Sequence, residues 1–280
     1  MNYTHNPYLR KLALFGLMTV LGIGSAAAQV DSQQIQMFRD EPKGNIEFRK
    51  KGMLDGNLVR TVYFNDASIS DWFSGAVSGP HGEWPKGTGH RSLDGLALLV
   101  GAKFKITNTL GQEQYITPLE SAYREEMDKD PGTGEVWGFE PVPGYARANS
   151  EIPAIDANKN SYPEKWPRSI FYDLYKTDES QISLWDGYWY GYFGRGVRNA
   201  QLETFFVIDD SKDREFTRIP YAYYPIKSDS ARGGLGIRVE VRGFQWTHVL
   251  AEDIIFWHYD IINLADNKYD STVFGFYTDP

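Results

Sequence analysis

Hydrophobic and charged residues alternate most regularly in the stretch between positions 236 and 247. In the sequence IRVEVR, which starts at Ile237, the aliphatic side chains fall on one side of an extended backbone and the charged side chains fall on the other. A period of two residues is typical of an antiparallel strand with one face against the core and one face in solvent. We therefore predict a half-buried strand here.

Further segments rich in β-branched and aromatic residues predict additional strands. They span 57–65, 96–108, 201–209, 253–263 and 271–278. Gly101 is a candidate β-bulge, Gly111 is placed to turn a hairpin, and 119–127 predicts one short helix. Apolar residues show no helical period of useful length. The predicted fold class is all-β: an antiparallel β-sandwich with long Gly/Pro-rich loops and at most short helices.

The first 28 residues have the pattern of a secretory signal peptide. Arg10 and Lys11 precede an uncharged, mostly apolar stretch at 12–23, and small residues suitable for cleavage follow at 25–28. The apolar stretch is shorter than the roughly 20 residues that a membrane-spanning helix needs. We expect a mature chain that begins at Gln29, has no transmembrane segment, and is secreted or displayed at the cell surface.

The mature chain divides into two parts. Residues 29–56 are polar and mixed, which predicts a leader or an edge segment, and residues 57–280 form the predicted β-sandwich region. The apolar strand at 273–277 stops close to the last residue. Because an uncovered apolar strand edge is an aggregation hazard, we expect this chain to be a fragment of a longer, multi-domain protein.

Composition removes several classes of function. The chain has no cysteine, which excludes a disulfide scaffold, a thiol nucleophile, a cysteine-bound zinc and an iron–sulfur cluster. Its formal net charge is −8 and it has no block of basic residues. An acidic surface of this kind disfavours binding to a phosphate backbone, so we do not expect a nucleic-acid partner.

Aromatic residues are concentrated between 185 and 193. The residues predicted to form a glycan platform are Trp185, Tyr188, Trp189, Tyr190 and Tyr192. Exposed aromatic rings can stack on sugar rings, but the same residues are equally suited to packing inside a core. Spacing alone does not separate these alternatives, and we keep both.

A dense acidic cluster follows the strand at 201–209. It consists of Asp209, Asp210, Asp213 and Glu215. Oxygen ligands on a loop suit Ca²⁺, so this cluster is a candidate calcium site. The alternative is a solvated turn neutralised by Lys212 and Arg214. The segment 156–160 also begins like a calcium-binding loop, but it lacks the glycine and the glutamate that such a loop requires.

Sequence motifs for catalysis are weak, and whether the protein is an enzyme stays open. The chain has no nucleophile-elbow, P-loop or zinc-protease motif. Glu203 and Asp209 share a strand face but are about 20 Å apart at ~3.3 Å per residue, which is too far for a glycosidase pair. His248 and His258 are better interpreted as structural histidines.

Ten short motifs together resemble a known class of secreted proteins. They are WPKGTGH at 84–90, LVGA at 99–102, GRGV at 194–197, FVIDD at 206–210, DREF at 213–216, VRGFQWTH at 241–248, LAED at 250–253, FWHYDI at 256–261, YD at 269–270 and FG at 274–275. The chain is similar in these motifs to the N-terminal region of large, mostly uncharacterised surface proteins from bacteria with type IX secretion. The resemblance implies export and a longer parent protein, and it supplies no catalytic residues.

These observations predict an exported, extracellular or cell-surface β-rich module with a structural or binding role. Cell-envelope components or glycans are the expected partners, and Ca²⁺ is the one cofactor that the residues suggest. The alternative is a secreted carbohydrate-active enzyme or its glycan-binding module. If the rings at 185–193 line an open groove with two facing carboxylates, the enzyme hypothesis gains support; if those rings are buried between sheets, it loses its main support.

Overall fold

The computed structural model describes residues 31–70, 79–123 and 129–279, which form two facing antiparallel β-sheets. The all-β sandwich predicted from the sequence is confirmed, and helices in the described residues are short. The predicted signal peptide, at 1–28, lies outside the described residues. In the described part of the chain, no helix has the length and apolar character needed to cross a lipid bilayer.

The first sheet has seven strands and is organised around the long strand β4 (Gly95–Thr107). Along its length β4 pairs with three short strands and with one long one, and two more strands complete the sheet. The short partners are β3 (Ser68–Ile69), β5 (Glu113–Ile116) and β6 (Leu119–Ser121), the long partner is β14 (Ser271–Asp279), and β2 (Thr61–Phe64) and β1 (Lys51–Leu54) continue beyond β3. Strands β1 and β14 are therefore the two edges.

The second sheet has five strands, of which three are long and follow one another in the chain. They are β11 (Leu202–Asp209), β12 (Ile237–Gln245) and β13 (Ile255–Asn263), and the short strands β7 (Glu140–Pro141) and β8 (Ala154–Ile155) pair with β11. Strand β13 forms an edge. A separate two-stranded ladder joins β9 (Tyr190–Gly191) to β10 (Gly194–Arg195).

The main core lies between the two sheets and uses much of the aromatic content. The ring of Tyr63 on β2 stacks on Phe206 of β11 with centroids 6.1 Å apart, and it meets the edge of Trp257 of β13 at 5.6 Å. The Tyr63 hydroxyl shares a hydrogen bond of 2.7 Å with the hydroxyl of Thr204. The sheets are thus joined by apolar packing and by a fully buried polar contact.

A third layer of short helices and loops covers the outer face of the five-stranded sheet. It contains helix α1 (Ser32–Asp40), helix α2 (Tyr172–Asp178) and 3₁₀ turns at 46–48, 168–171 and 179–185. A second apolar cluster lies under this layer. Its buried members are Val142, Tyr145, Ala154, Tyr162, Trp166, Phe171, Ile182, Trp189, Phe205 and Val207. Strand β11 therefore has apolar neighbours on both faces.

The prediction that one face of β12 meets solvent is wrong. The side chains of Arg238 and Arg242 are only 2% and 7% exposed. They are buried because the third layer covers them, and their acidic partners are Glu41, which follows α1, and Glu203 of the neighbouring strand β11. The guanidinium of Arg238 lies 2.8 Å from the Glu41 carboxylate, and that of Arg242 lies 2.5 Å from the Glu203 carboxylate.

The structure also changes the predictions for 119–127 and Gly101, and it shows which elements the segment 29–56 contains. Residues 119–121 of the predicted helix are strand β6, which pairs with β4, while 124–128 lie outside the described residues. Gly101 is not a bulge in the ladder with β14, because the register runs through it without interruption. The segment 29–56 holds helix α1 and the edge strand β1.

Candidate functional site

The five aromatic residues predicted as a glycan platform do not lie on one exposed face. Trp189 is buried in the second apolar cluster, where its indole N–H donates a hydrogen bond of 3.1 Å to Glu203. Tyr190 packs on the same cluster, and burial raises its pKa to about 12. Trp189 is thus a core residue, and Tyr190 is a half-buried ring packed against the core, because the hairpin that begins at β9 folds over the outer face of the sheet.

The other three rings of this segment differ in exposure and in the residues that they contact. Trp185 is half-buried and packs against Phe171 with ring centroids 5.0 Å apart. Tyr188 and Tyr192 are exposed. The Tyr188 ring lies 5.2 Å from the guanidinium carbon of Arg195. Of the five residues predicted as a platform, Tyr188 and Tyr192 are therefore the two that are exposed.

The acidic cluster at 209–215 is used to hold loops in place. The Asp209 carboxylate forms a buried ion pair of 2.8 Å with Arg232 and accepts a hydrogen bond of 2.9 Å from the Gly44 backbone N–H. The Asp210 carboxylate accepts from the backbone N–H groups of Leu235 at 2.8 Å and Ile237 at 3.0 Å. Both aspartates therefore have the protein's own donors in the positions where a cation would lie.

The remaining members of the acidic cluster, Asp213 and Glu215, are part of a turn that is hydrogen-bonded within the protein. The Asp213 carboxylate accepts from the backbone N–H of Glu215 at 2.7 Å, which is a local turn. Within the described ranges, no group of three acidic, histidine or cysteine side chains is arranged to hold a metal ion. The geometry therefore favours the turn over the calcium site, here and at 156–160, where Asn158 accepts from the backbone N–H of Asn160.

A large cleft lies between the third layer and the outer face of strands β12 and β13. Its volume is about 620 Å³, within the range of roughly 300–1,000 Å³ typical of small-molecule sites. The residues that define it come from α1, α2, the hairpin strand β9 and both sheet strands. They include Asp31, Tyr172, Lys176, Tyr190, Glu240 and Asp260.

Two carboxylates face each other on the sheet side of this cleft. Glu240 on β12 and Asp260 on β13 are directly opposed in the strand register. Directly opposed residues share one face of a sheet, with Cβ atoms about 4.5–5.5 Å apart. Glu240 is half-buried and lies 3.2 Å from Arg238, whereas Asp260 is exposed and lies 3.7 Å from His258.

An ion pair joins the two helices at the side of the cleft. The Asp31 carboxylate caps helix α1 by accepting from the Gln33 backbone N–H at 2.7 Å, and it also pairs with Lys176 of α2 at 2.6 Å. The hydrogen bond from Lys176 is the main reason that the pKa of Asp31 lies well below its ordinary value. The Lys176 ammonium also lies 4.4 Å from the ring centre of Tyr172.

A buried polar network supports the floor of the cleft. Arg238 lies beneath Glu240, contacts Glu41 and Tyr145, and stacks over the Phe38 ring of α1 at 4.2 Å. Burial raises the pKa of Glu41 above its ordinary value, although the positive charge of Arg238 acts in the opposite direction. This network ties the C-terminal end of α1 to strand β12.

The charge of the cleft restricts what it can bind. Asp31, Asp173, Glu240 and Asp260 line it, and Lys176 is the basic residue among its lining groups. Excess negative charge repels phosphates, sulfates and carboxylates. Hydroxyl groups and amines, by contrast, can donate hydrogen bonds to carboxylate oxygens.

Sequence reasoning missed most of this site. Neither Glu240 nor Asp260 was predicted as a site residue, because their pairing depends on the β12–β13 register, which only the folded chain shows. Asp31 and Lys176 lie 145 positions apart and carry no motif. The one usable signal was the alternation around Glu240, which correctly separates the charged face of β12 from its aliphatic face.

Comparison with protein-family models, curated proteins and solved structures finds no significant match to this chain. The fold and the cleft thus define its class: a two-sheet antiparallel sandwich with a third layer that bears a polar cleft.

Proposed function

We propose that this chain is an exported extracellular or cell-surface module that binds a neutral or basic carbohydrate in the cleft over β12 and β13. The observation that carries the proposal is the pairing of Glu240 with Asp260 beside two tyrosines in a cleft of about 620 Å³. The signal-like N-terminus and the resemblance to secreted surface proteins support export.

A sugar has the chemistry that this cleft complements. Its hydroxyl groups donate hydrogen bonds to carboxylates, and its C–H faces pack against aromatic rings. Glu240 and Asp260 supply the acceptors, and Tyr190 and Tyr172 line the same space. The acidic character of the cleft favours neutral sugars and amino sugars over uronic acids and sulfated glycans.

A glycan array followed by calorimetry tests the proposal. We expect binding to neutral or amino-sugar glycans and at least a tenfold loss of affinity in Asp260→Ala, which removes an exposed acceptor without disturbing the core. Glu113→Ala is the matched control, because Glu113 is an exposed carboxylate on the other sheet. No binding to any such glycan, or equal loss in both variants, would contradict the proposal.

Glycoside hydrolysis is a second candidate function, and the pairing of Glu240 with Asp260 favours it. The strand register places Glu240 directly opposite Asp260, with Cβ atoms about 4.5–5.5 Å apart, and rotation of the two side chains can bring the carboxyl groups to the ~5–5.5 Å found in retaining glycosidases. If the pair is catalytic, Glu240→Gln and Asp260→Asn will each abolish hydrolysis of a bound oligosaccharide while retaining measurable binding. A wild-type protein that binds the oligosaccharide and leaves it intact would limit the function to binding.

A further inference from the structure

Strand β14 presents an apolar edge to solvent. It pairs with β4 on one side and ends the seven-stranded sheet in the described chain. Four of its large apolar side chains are between 41% and 65% exposed: Val273, Phe274, Phe276 and Tyr277. The outer side of an edge strand can extend a sheet by pairing with another strand, and natural proteins protect such edges with charge, proline or a partner. The interior of β14 has neither charge nor proline.

The sequence of β14 is nearly symmetric about its central residue. It reads STVFGFYTD, with Gly275 in the middle. Phenylalanine stands on both sides of the glycine, and threonine stands three positions away in both directions. Two positions from the glycine, valine stands on one side and tyrosine on the other, and a β-branched residue opposite an aromatic residue is also a favourable cross-strand pair.

We infer that β14 pairs with β14 of a second copy of this chain, antiparallel, across a two-fold axis through Gly275. In that register Phe274 lies opposite Phe276 of the second copy, and Thr272 lies opposite Thr278. Val273 lies opposite Tyr277. Aromatic, aromatic–β-branched and Thr–Thr pairs each contribute to cross-strand stability, so one strand sequence makes favourable pairs with itself along its length.

Charges at the two ends of β14 also suit an antiparallel copy. At one end Ser271 pairs with Lys103 of β4, and Lys268 and Asp270 precede the strand. At the other end Asp279 lies beside Asp94, whose backbone N–H donates to it at 2.8 Å. The charges named at the first end sum to a positive value, and those at the second end sum to a negative value. The two-fold axis places the first end of one copy beside the second end of the other copy.

Gly275 provides a direct test, because a side chain added there meets no atom within 4 Å. The chain has no cysteine, so Gly275→Cys introduces its only thiol. On the axis the two Cα atoms would be about 5 Å apart, within disulfide range. We expect mild oxidation to give a covalent dimer. Thr272→Cys is the control, because its copies would be about 20 Å apart in this register and should not crosslink.

A charge swap at the same position tests the symmetry in solution. We expect wild-type protein to sediment as a dimer in analytical ultracentrifugation, and Gly275→Lys and Gly275→Glu each to sediment as monomers, because like charges directly opposite destabilise strand pairing. An equal mixture of the two variants should restore the dimer mass. Thermal unfolding of dilute protein should be the same for both variants and the wild type, which shows that the fold is retained.

Three results would overturn this inference. They are a monomeric wild type at concentrations near 100 µM, dimers of Gly275→Lys as tight as those of the wild type, and crosslinking of Thr272→Cys as efficient as that of Gly275→Cys. The first would show that a second copy is not the occupant of the edge. The others would place a dimer contact elsewhere or in another register.

Discussion

Strands β12 and β14 are nine residues long and belong to opposite sheets, but their surroundings differ sharply. Strand β12 carries Arg238, Glu240 and Arg242, and both of its faces are covered. Strand β14 is apolar through its centre, and most of its residues are exposed. In this fold, the burial of a strand depends on which layers cover it. The charged residues of β12 can be buried because ion pairs neutralise them under the third layer.

The largest expected effect comes from the buried arginine of β12. Arg238→Ala leaves Glu41 and Glu240 without their cationic partner in a buried position. Loss of one partner from a buried ion pair costs about 3–5 kcal/mol, so we expect a fall of that size in the free energy of unfolding measured with urea. Arg195→Ala is the control, because Arg195 is exposed and should change the free energy by less than ~0.5 kcal/mol. Equal effects in the two variants would mean that the β12 face is not covered in solution.

Matched valines compare the two strands directly. Val241 on β12 is fully buried and Val273 on β14 is 65% exposed. Val241→Thr places a hydroxyl in an apolar environment, which costs about 1–3 kcal/mol, whereas Val273→Thr should stay within ~0.5 kcal/mol in dilute protein. Chemical denaturation of both variants gives the comparison. A larger loss at position 273 would contradict the exposure of β14.

The pH dependence of stability tests the anchor at the start of β12. Burial raises the pKa of Asp210 well above its ordinary value of 3.8. The folded state therefore binds more protons than the unfolded state above about pH 4, and the free energy of unfolding falls as pH rises through the folded pKa. The slope from this group is at most ~1.4 kcal/mol per pH unit.

Asp210→Asn removes the titrating group and retains an oxygen that can accept from the Leu235 and Ile237 backbone N–H groups. As pH rises from about 4 through the folded pKa of Asp210, we expect the unfolding free energy of Asp210→Asn to fall less than that of the wild type. Urea denaturation at a series of pH values measures this difference. Parallel pH profiles for the two proteins would show that Asp210 does not titrate in a buried site.

The smallest expected effect comes from a pair of tyrosines. Tyr63→Phe removes the hydrogen bond to Thr204 between the sheets and should cost about 1 kcal/mol. Tyr115→Phe on β5, in the same sheet as β14, should be close to neutral, because Tyr115 is 61% exposed. Thermal unfolding of the two variants in dilute solution resolves the difference. If both are neutral, the Tyr63 hydroxyl does not contribute to joining the sheets.

The local sequence predicts the positions of the long strands well, but it does not predict which parts of the chain cover them. Strands β11, β12, β13 and β14 lie within two residues of the predicted segments, because long alternating or β-branched runs have few other ways to fold. The burial of Arg238 was not predictable, since its partners Glu41 and Tyr145 are 197 and 93 residues away. The cleft was missed for the same reason: its walls meet only after the third layer has folded onto the sheet.

Hydrogen–deuterium exchange on dilute protein tests the contrast between β12 and β14 most directly. Amides of 237–245 should exchange only through global unfolding, because both faces of β12 are covered. Amides of 271–279 should exchange much faster in dilute protein and slow down at concentrations where the second copy binds. Equal protection of both segments in dilute protein, or fast exchange in 237–245, would contradict the account.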